Sequence, residues 1–344
     1  MNVAVTPERV VGAVALLVGV IAPLILPAYW IGTLLTQMLL FGIVAASLIF
    51  LSAYAGMVSL AQVALFGIAG FVLGNVTTNG NTKGLNLGWN PWWGVVLGLA
   101  IATVIGLLFG AIASRSVGIY FLMITLTYSV IANLFFGQVT TLSGFGGISG
   151  IPAPHVIGDV SAHQNRLYYV ALVTSLCVYL LLRYLARTPF GLTLQGLRDE
   201  PVRMRSLGYN VTLHRTIAFG FAGFIAGLGG VLFVWWNGHV DPASIDVGAT
   251  IDVLVIAVVG GLYRLEGAWV GALFFVIVNN YSQRISFIGP RFHTLIGAIF
   301  LIVVLVSPGG LMGLWERALT TTSWHRRGPV DRDRIDAGHA EPTV

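Results

Sequence analysis

Apolar residues run along this chain in long blocks, parted by short polar or glycine-rich joints. A membrane-crossing helix needs about 20 apolar residues, within a range of roughly 17 to 25. That rule predicts spans near 10–27, 32–53, 57–74, 92–113, 117–137, 167–186, 215–236, 248–262, 268–283 and 293–307. The pattern is that of an all-α, polytopic membrane protein of about ten helices, with nine and eleven left open. Two runs stand apart. Residues 57–74 hold Gln62 and three glycines, as a broken or re-entrant helix would. Residues 248–262 are short and carry Asp252. The first run has Arg9 before it and Pro27-Ala28-Tyr29-Trp30 after it. Those flanks favour an uncleaved first span over a signal peptide.

The long polar interruption of the second half runs from Arg183 to Arg215. Thr188-Pro189 is a helix start, a hydroxyl cap followed by proline at the first helical position. The pattern predicts a short amphipathic helix to Leu207, with Gly208 ending it. Apolar Leu192, Leu194, Leu197, Val202, Met204 and Leu207 alternate there with Arg198, Asp199, Glu200, Arg203 and Arg205. Pinned between two spans, such a helix lies on the bilayer surface or plugs into a soluble partner. It is taken here as a docking element.

Composition narrows the class. The chain is 56% hydrophobic and 9% charged, where a soluble domain carries about 25% charged residues. The net charge of +5 is no nucleic-acid footprint, because the arginines sit between spans and in the tail. There they set orientation. With the N-terminus inside, Arg9, Arg115, the six arginines from Arg183 to Arg215, Arg264, Arg317, Arg326, Arg327, Arg332 and Arg334 share the cytoplasmic side. Lys83, Arg166, Arg284 and Arg291 face the other way. Both termini and the 183–215 loop are thus expected in the cytoplasm, and the loops 75–91, 138–166 and 237–247 outside. The single Cys177 excludes a disulfide framework and a cysteine metal cluster. Residues 1–315 form the expected membrane domain, with the loop 187–212 within it, and 316–344 a polar, disordered cytoplasmic tail.

Few residues inside the spans carry chemistry. Thr140 to Pro154 hold Gly144, Gly146, Gly147 and Gly150 beside Ser149. Ser149 stands where a dinucleotide fingerprint needs its third glycine, and no strand–helix unit surrounds it. The segment is either a flexible external turn or a wall of a small-solute path. Asp252 costs about 2.5–3.5 kcal/mol at a bilayer midplane. It reaches the interface or belongs to the solute path. Asn279 and Asn280 suit hydrogen bonds between helices, and the pairs Gly106/Gly110 and Gly223/Gly227 suit close helix packing. His155, His239 and His293 have no ligand set at metal spacing, so no metal site is expected. Neither H-E-x-x-H, G-x-S-x-G nor a P-loop lysine motif is present, and an enzyme is not expected. What remains is a multi-span permease that borrows ATP hydrolysis from a separate subunit.

Several segments resemble one family. Thr188-Pro189-Phe190-Gly191, Leu197-Arg198-Asp199-Glu200 and Leu207-Gly208-Tyr209-Asn210 are similar to the cytoplasmic T-P-F-G…I-R-E-N…L-G-x-N loop of branched-chain amino-acid type ABC importer permeases. Thr141 to Pro152, Pro242, Val258 to Leu262, Gly267 to Ala272, Ser307 to Leu311 and Ala55 to Leu60 resemble further motifs of that family, in its order. The longer of the two permeases is the nearer likeness. Leu192, Thr193, Gln195, Gly196 and Tyr263-Arg264 depart from the pattern, as does Pro201, which is expected to bend or split the docking helix.

The resemblance implies a subunit of the bacterial plasma (inner) membrane that works with a second homologous permease, two ABC ATPase subunits and an extracytoplasmic solute-binding protein. It implies no cofactor of its own, ATP being bound by the separate subunits, and no nucleic-acid partner. Thr188, Pro189, Phe190, Gly191, Leu197, Arg198, Asp199, Leu207 and Gly208 would couple to the ATPase, with Arg198 pairing an acid there. Gly144, Gly146, Gly147, Ser149, Gly150 and Asp252 are assigned to the substrate pathway. Branched-chain amino acids are the first expected cargo, with urea, short amides or small organic acids on the same scaffold as the alternative. An ATP-independent carrier or channel is the alternative of another class.

Overall fold

The computed structural model describes residues 19–23, 27, 29–79, 84–154, 157–158, 164–282, 292–307 and 309–314. Most of the first predicted span, Lys83, His155, Arg284, Arg291, Pro308 and the tail from 315 onward lie outside the described residues.

The remaining nine apolar runs are helices. In chain order α1 is Trp30–Ala55, α2 Gln62–Thr77, α3 Pro91–Ala113, α4 Ile119–Gln138 and α5 Gln164–Leu185. Between the spans come α6, Pro189–Asp199, and α7, Pro201–Ser206. The chain continues with α8, Val211–Asn237, α9, Val247–Gly260, α10, Gly267–Ser282, and α11, Phe292–Val306. Helices α1, α3, α4, α5 and α8 are long and apolar enough to cross a membrane. The protein is an all-α, polytopic membrane bundle, with one two-residue pairing of β1, Ile148–Ser149, and β2, His239–Val240.

The interior belongs to α1, α2 and α8. Within its most apolar stretch α1 is 78% buried and α8 72%, against 22% for α3. Helix α3 shows how an outer helix is made. Its Gly94, Gly98, Ala102, Gly106 and Gly110 recur every fourth residue and are all buried. That row lies against α2 and α8, where Gly223 packs 3.2 Å from the Ala102 carbonyl, measured from the position of an added Cβ. Trp93, Val104, Leu108 and Ile112 are left exposed. The small-residue repeats are therefore packing seams, as expected for helices that lack a hydrophobic drive to associate in lipid.

The two irregular runs resolve differently. For 57–74, residues 57–59 are non-helical and the chain then forms α2, buried along almost its whole length. At 16 residues it is about 24 Å long, short of a hydrocarbon core of about 30 Å. Its start is held by polar contacts: Gln62 Oε1 accepts from Ser47 Oγ at 3.1 Å, and Leu60 N–H donates to Thr125 Oγ1 at 3.1 Å.

Helix α9, the 248–262 run, begins partway along α2, beside Gly67. After β2 the chain descends along α2. Val240 lies beside Gly74 and Gly70, and Ile245 presses on Gly67, where an added Cβ would stand 2.1 Å from Ile245 Cγ2. Only glycine admits that approach. The descent ends in a 3-10 turn, Pro242–Ile245, started by Asp241, whose Oδ1 accepts from Ser244 N–H at 3.0 Å. Asp246 then caps α9 by accepting from Ala249 N–H at 2.7 Å. From α4, the Asn133 amide donates to Pro242 O at 2.7 Å, and the Ser129 and Thr250 hydroxyls are 2.9 Å apart. In this irregular stretch Pro242 and Ile245 are buried, whereas Ala243 and Asp246 are exposed.

Candidate coupling loop and solute crevice

At one end of the bundle α5 turns into the docking segment. Thr188 Oγ1 accepts from Gly191 N–H at 3.3 Å and donates to Leu185 O at 2.7 Å. Pro189 follows at the first helical position. The predicted single helix to Leu207 is two helices. Pro201 cannot donate to the preceding turn, and the break falls at Glu200 with φ −139° and ψ 69°. Helix α7 ends at Ser206 with a paired closure: Tyr209 N–H donates to Met204 O at 3.1 Å and Gly208 N–H to Arg205 O at 3.0 Å. Gly208 adopts φ +90°, as that closure requires.

The segment is fastened to the spans. Leu194 and Leu197 are fully buried, and Gly191 lies so close to α5 that an added Cβ would stand 2.1 Å from Leu185 O. Gln195 Nε2 donates to Ala186 O at 3.0 Å. Arg198 gives the longest-range tie. Its Nη1 donates to the Ala53 carbonyl in the last turn of α1, and its Nε pairs with Asp199 Oδ1 at 2.7 Å. That hydrogen bond holds the Asp199 carboxyl below the usual carboxylate range. Arg198, assigned from the sequence to an acid on a partner, thus has partners inside the chain. A second tie joins α5 to the turn before α10: Arg183 Nη1 donates to Tyr179 Oη at 2.8 Å, and Tyr179 O–H donates to Glu266 Oε1 at 2.7 Å.

The sequence-assigned coupling residues divide accordingly. Gly191 and Leu197 face inward, and Phe190 is half-buried, stacked on His214 with ring centroids 6.0 Å apart. Pro189, Asp199, Leu207 and Gly208 are exposed. Beside them stand exposed apolar side chains outside the assigned coupling set: Leu192, Val202 and Tyr209. The free apolar surface is therefore Leu192, Val202, Leu207 and Tyr209, flanked by exposed Arg203 and Arg205. Helical spacing marked Val202 as apolar but not which way it faces.

At the other end the glycine loop folds onto the end of α8. Gly144, Gly147 and Gly150 have φ between 64° and 69°. Gly147 lies against Val240 O, and the Ser149 hydroxyl is 2.9 Å from His239 Nδ1. Gly150, with Ile151, Pro152 and Ala153, lines a cavity of about 590 Å³ against Gly32, Thr33 and Thr36 of α1 and Trp235 and Trp236 of α8. The indole Nε1 of Trp235 is buried without a hydrogen-bond partner. Gly144, Gly146, Gly147 and Ser149 shape the loop but do not line this cavity.

Asp252 lines a second cavity of about 180 Å³, with Phe41 and Val44 of α1, Val63 and Phe66 of α2, Phe233 of α8, Ser244, Ala249 and Val253. Both cavities are lined in part by residues of α1 and α8. Trp236 of the wider and Phe233 of the narrower have ring centroids 5.9 Å apart.

A helical membrane bundle with a capped surface helix pair at one end and a crevice between its inner helices has the build of a permease. The chain belongs to the family of branched-chain amino acid transport system permease components, which matches residues 30–305. It is 25% identical over 247 residues to the high-affinity branched-chain amino acid transport system permease protein LivM of Salmonella typhimurium, covering 65% of this chain and 57% of that one. A probable LivM of Methanocaldococcus jannaschii is 25% identical over 50% of this chain and 54% of its own. The guanosine ABC transporter permease protein NupQ of Bacillus subtilis is 27% identical over 42% of each. The chain thus spans 57% of the length of the Salmonella relative. No solved structure matches. The family is one of permeases of the bacterial inner membrane, the place that these helices suit.

Proposed function

We propose that the chain is the membrane subunit of an ATP-driven importer and moves branched-chain amino acids or a similar small solute inward by alternating access. The observation that carries this is the docking segment: an apolar, arginine-flanked surface held rigidly to the ends of α1 and α5. A surface built only to rest on lipid headgroups has no need of the Arg198 tie, Gly191 contact and Thr188 cap together. The partners proposed are two ATPase subunits that bind the ATP, a second homologous permease and an extracytoplasmic solute-binding protein. An acidic groove on the ATPase would meet Leu192, Val202, Leu207 and Tyr209, with Arg203 and Arg205 at its rim. The loop end is then cytoplasmic, and solute enters at the glycine-loop end and moves along the α1–α8 crevice. The relatives named for branched-chain amino acids and for guanosine support a permease of this general type.

The test is uptake of labelled leucine in cells with and without the gene, with ATP depletion and an uncoupler as separate arms. Loss of ATP-dependent uptake on deletion is the expected result. Uptake that collapses with the proton gradient alone would point to a secondary carrier and overturn the proposal. If leucine uptake is unchanged, the same arms are run with urea, short amides and small organic acids.

A further inference from the structure

We infer that Arg215, with Arg205 beside it, is a binding site for a phosphate group at the docking-segment end of the bundle. The site is read by binding and does not depend on the permease proposal.

Arg215 stands in the second turn of α8, Val211–Asn237. Val211, four residues before it, and Ala218 and Ala222, three and seven after it, are all buried. That spacing puts Arg215 on the face that α8 turns toward the bundle. The residue is half-buried, and its Nε is buried with no hydrogen-bond partner. A guanidinium carries five N–H donors, and Arg215 spends none of them among the described residues. Other arginines of the loop are engaged: Arg198 donates to Ala53 O and Asp199, and Arg183 to Tyr179 Oη. The charged side chain that acts on Arg215 is Arg205, of the same sign. Among the described residues no acid forms an ion pair with either.

An unpaired buried charge is costly, and an ion from outside the chain is one way to offset it. A phosphate monoester or free phosphate carries about −1.5 to −2 charges at neutral pH. It balances two arginines, where a carboxylate balances one, and the guanidinium fork binds it through paired hydrogen bonds.

The frame around the two arginines is fixed. Arg205 O accepts from Gly208 N–H at 3.0 Å, and Asn210 caps α8 by accepting from Leu213 N–H at 3.0 Å. Between them the Tyr209 and His214 rings pack edge to face, with centroids 5.9 Å apart. At 27 residues α8 is about 40 Å long, against a hydrocarbon core of about 30 Å. Its first turns therefore reach the headgroup layer, within range of a lipid phosphate and of phosphate in solution. Held by both arginines, the group joins α7 to α8.

The experiment uses the full chain in phosphatidylcholine nanodiscs and phosphate-free buffer, with two probes, inorganic phosphate and phosphatidic acid. Chloride at equal ionic strength and phosphatidylcholine alone are the references, and hydrogen exchange and melting report binding. A bound probe is expected to slow exchange over α7 and the first turn of α8. Inorganic phosphate acting in this way identifies a free ion; phosphatidic acid acting where inorganic phosphate does not identifies a lipid headgroup. Arg215→Met, which keeps the apolar stem, is expected to weaken binding by about ten-fold or more. Arg205→Gln is expected to weaken it several-fold and Arg187→Gln to leave it unchanged. Without a probe, Arg215→Met is expected to melt no lower than wild type, since it removes an unpaired charge; a merely structural arginine gives the reverse. Failure of both probes on wild-type protein overturns the inference. So does binding that survives in full in Arg205→Gln, an exposed position whose variant keeps the bundle intact, or a loss in Arg187→Gln as large as in Arg205→Gln.

Discussion

Arg198 lies across Gly56. The glycine ends α1 in a left-handed turn with φ +67°, and an added Cβ there would stand 2.7 Å from Arg198 Cγ. The arginine reaches past it to donate to the Ala53 carbonyl, one of the backbone acceptors a helix end leaves open. One side chain thereby closes α1 and fixes the docking segment to an inner span.

Arg198→Ala should therefore loosen α6 without unfolding the bundle. The expected cost is about 1.5 kcal/mol, the low end for a hydrogen bond to a charged group, since the Arg198 side chain is 34% exposed. Hydrogen exchange should rise at the amides of α6 and stay unchanged in α2. Gly56→Val should do the same and more, through the positive φ and the contact with Arg198.

The start of α6 rests on two smaller features. Thr188→Ala removes the cap and should cost about 1 kcal/mol. Gly191→Ala places a methyl on Leu185 O and must displace the helix. A thermal melt in nanodiscs should rank Gly191→Ala below Thr188→Ala; the reverse order would contradict the contact between α5 and α6.

Gly67 and Ile245 set how deep α9 begins. Gly67→Ala should destabilise by about 1–3 kcal/mol, the range for overpacking. Adding Ile245→Ala, which clears the space, should recover part of that loss. Melting of the single and double variants tests this, and a double variant no better than additive would refute the packing.

Much of the docking segment was legible in the sequence because its signals are local. Thr188-Pro189 marks a start, Pro201 a break and Gly208 an end, and each acts within one helical turn. The nine described apolar runs were legible for the same reason, since length and hydropathy need no partner. Depth and partnership were not. The partner of Arg198 is a backbone carbonyl 145 positions away, and carbonyls leave no mark in a sequence. The descent from Val240 to Ile245 is set by contacts with Gly67, Gly70 and Gly74, which read alone as ordinary small-residue packing. Asp252 stands five residues past the start of α9, and that start lies beside Gly67 in the middle of α2, a placement that no local signal records.

In the proposed importer, force enters through the exposed surface of α6 and α7. The most direct measurement is solute uptake and ATP hydrolysis in the same reconstituted complex, comparing wild type with Val202→Asp and Leu207→Asp. Neither residue packs in the bundle, so each variant should insert and melt within about 0.5 kcal/mol of wild type. Loss of uptake, with hydrolysis no longer responding to solute, is the predicted result. Uptake at the wild-type rate in both variants would contradict it.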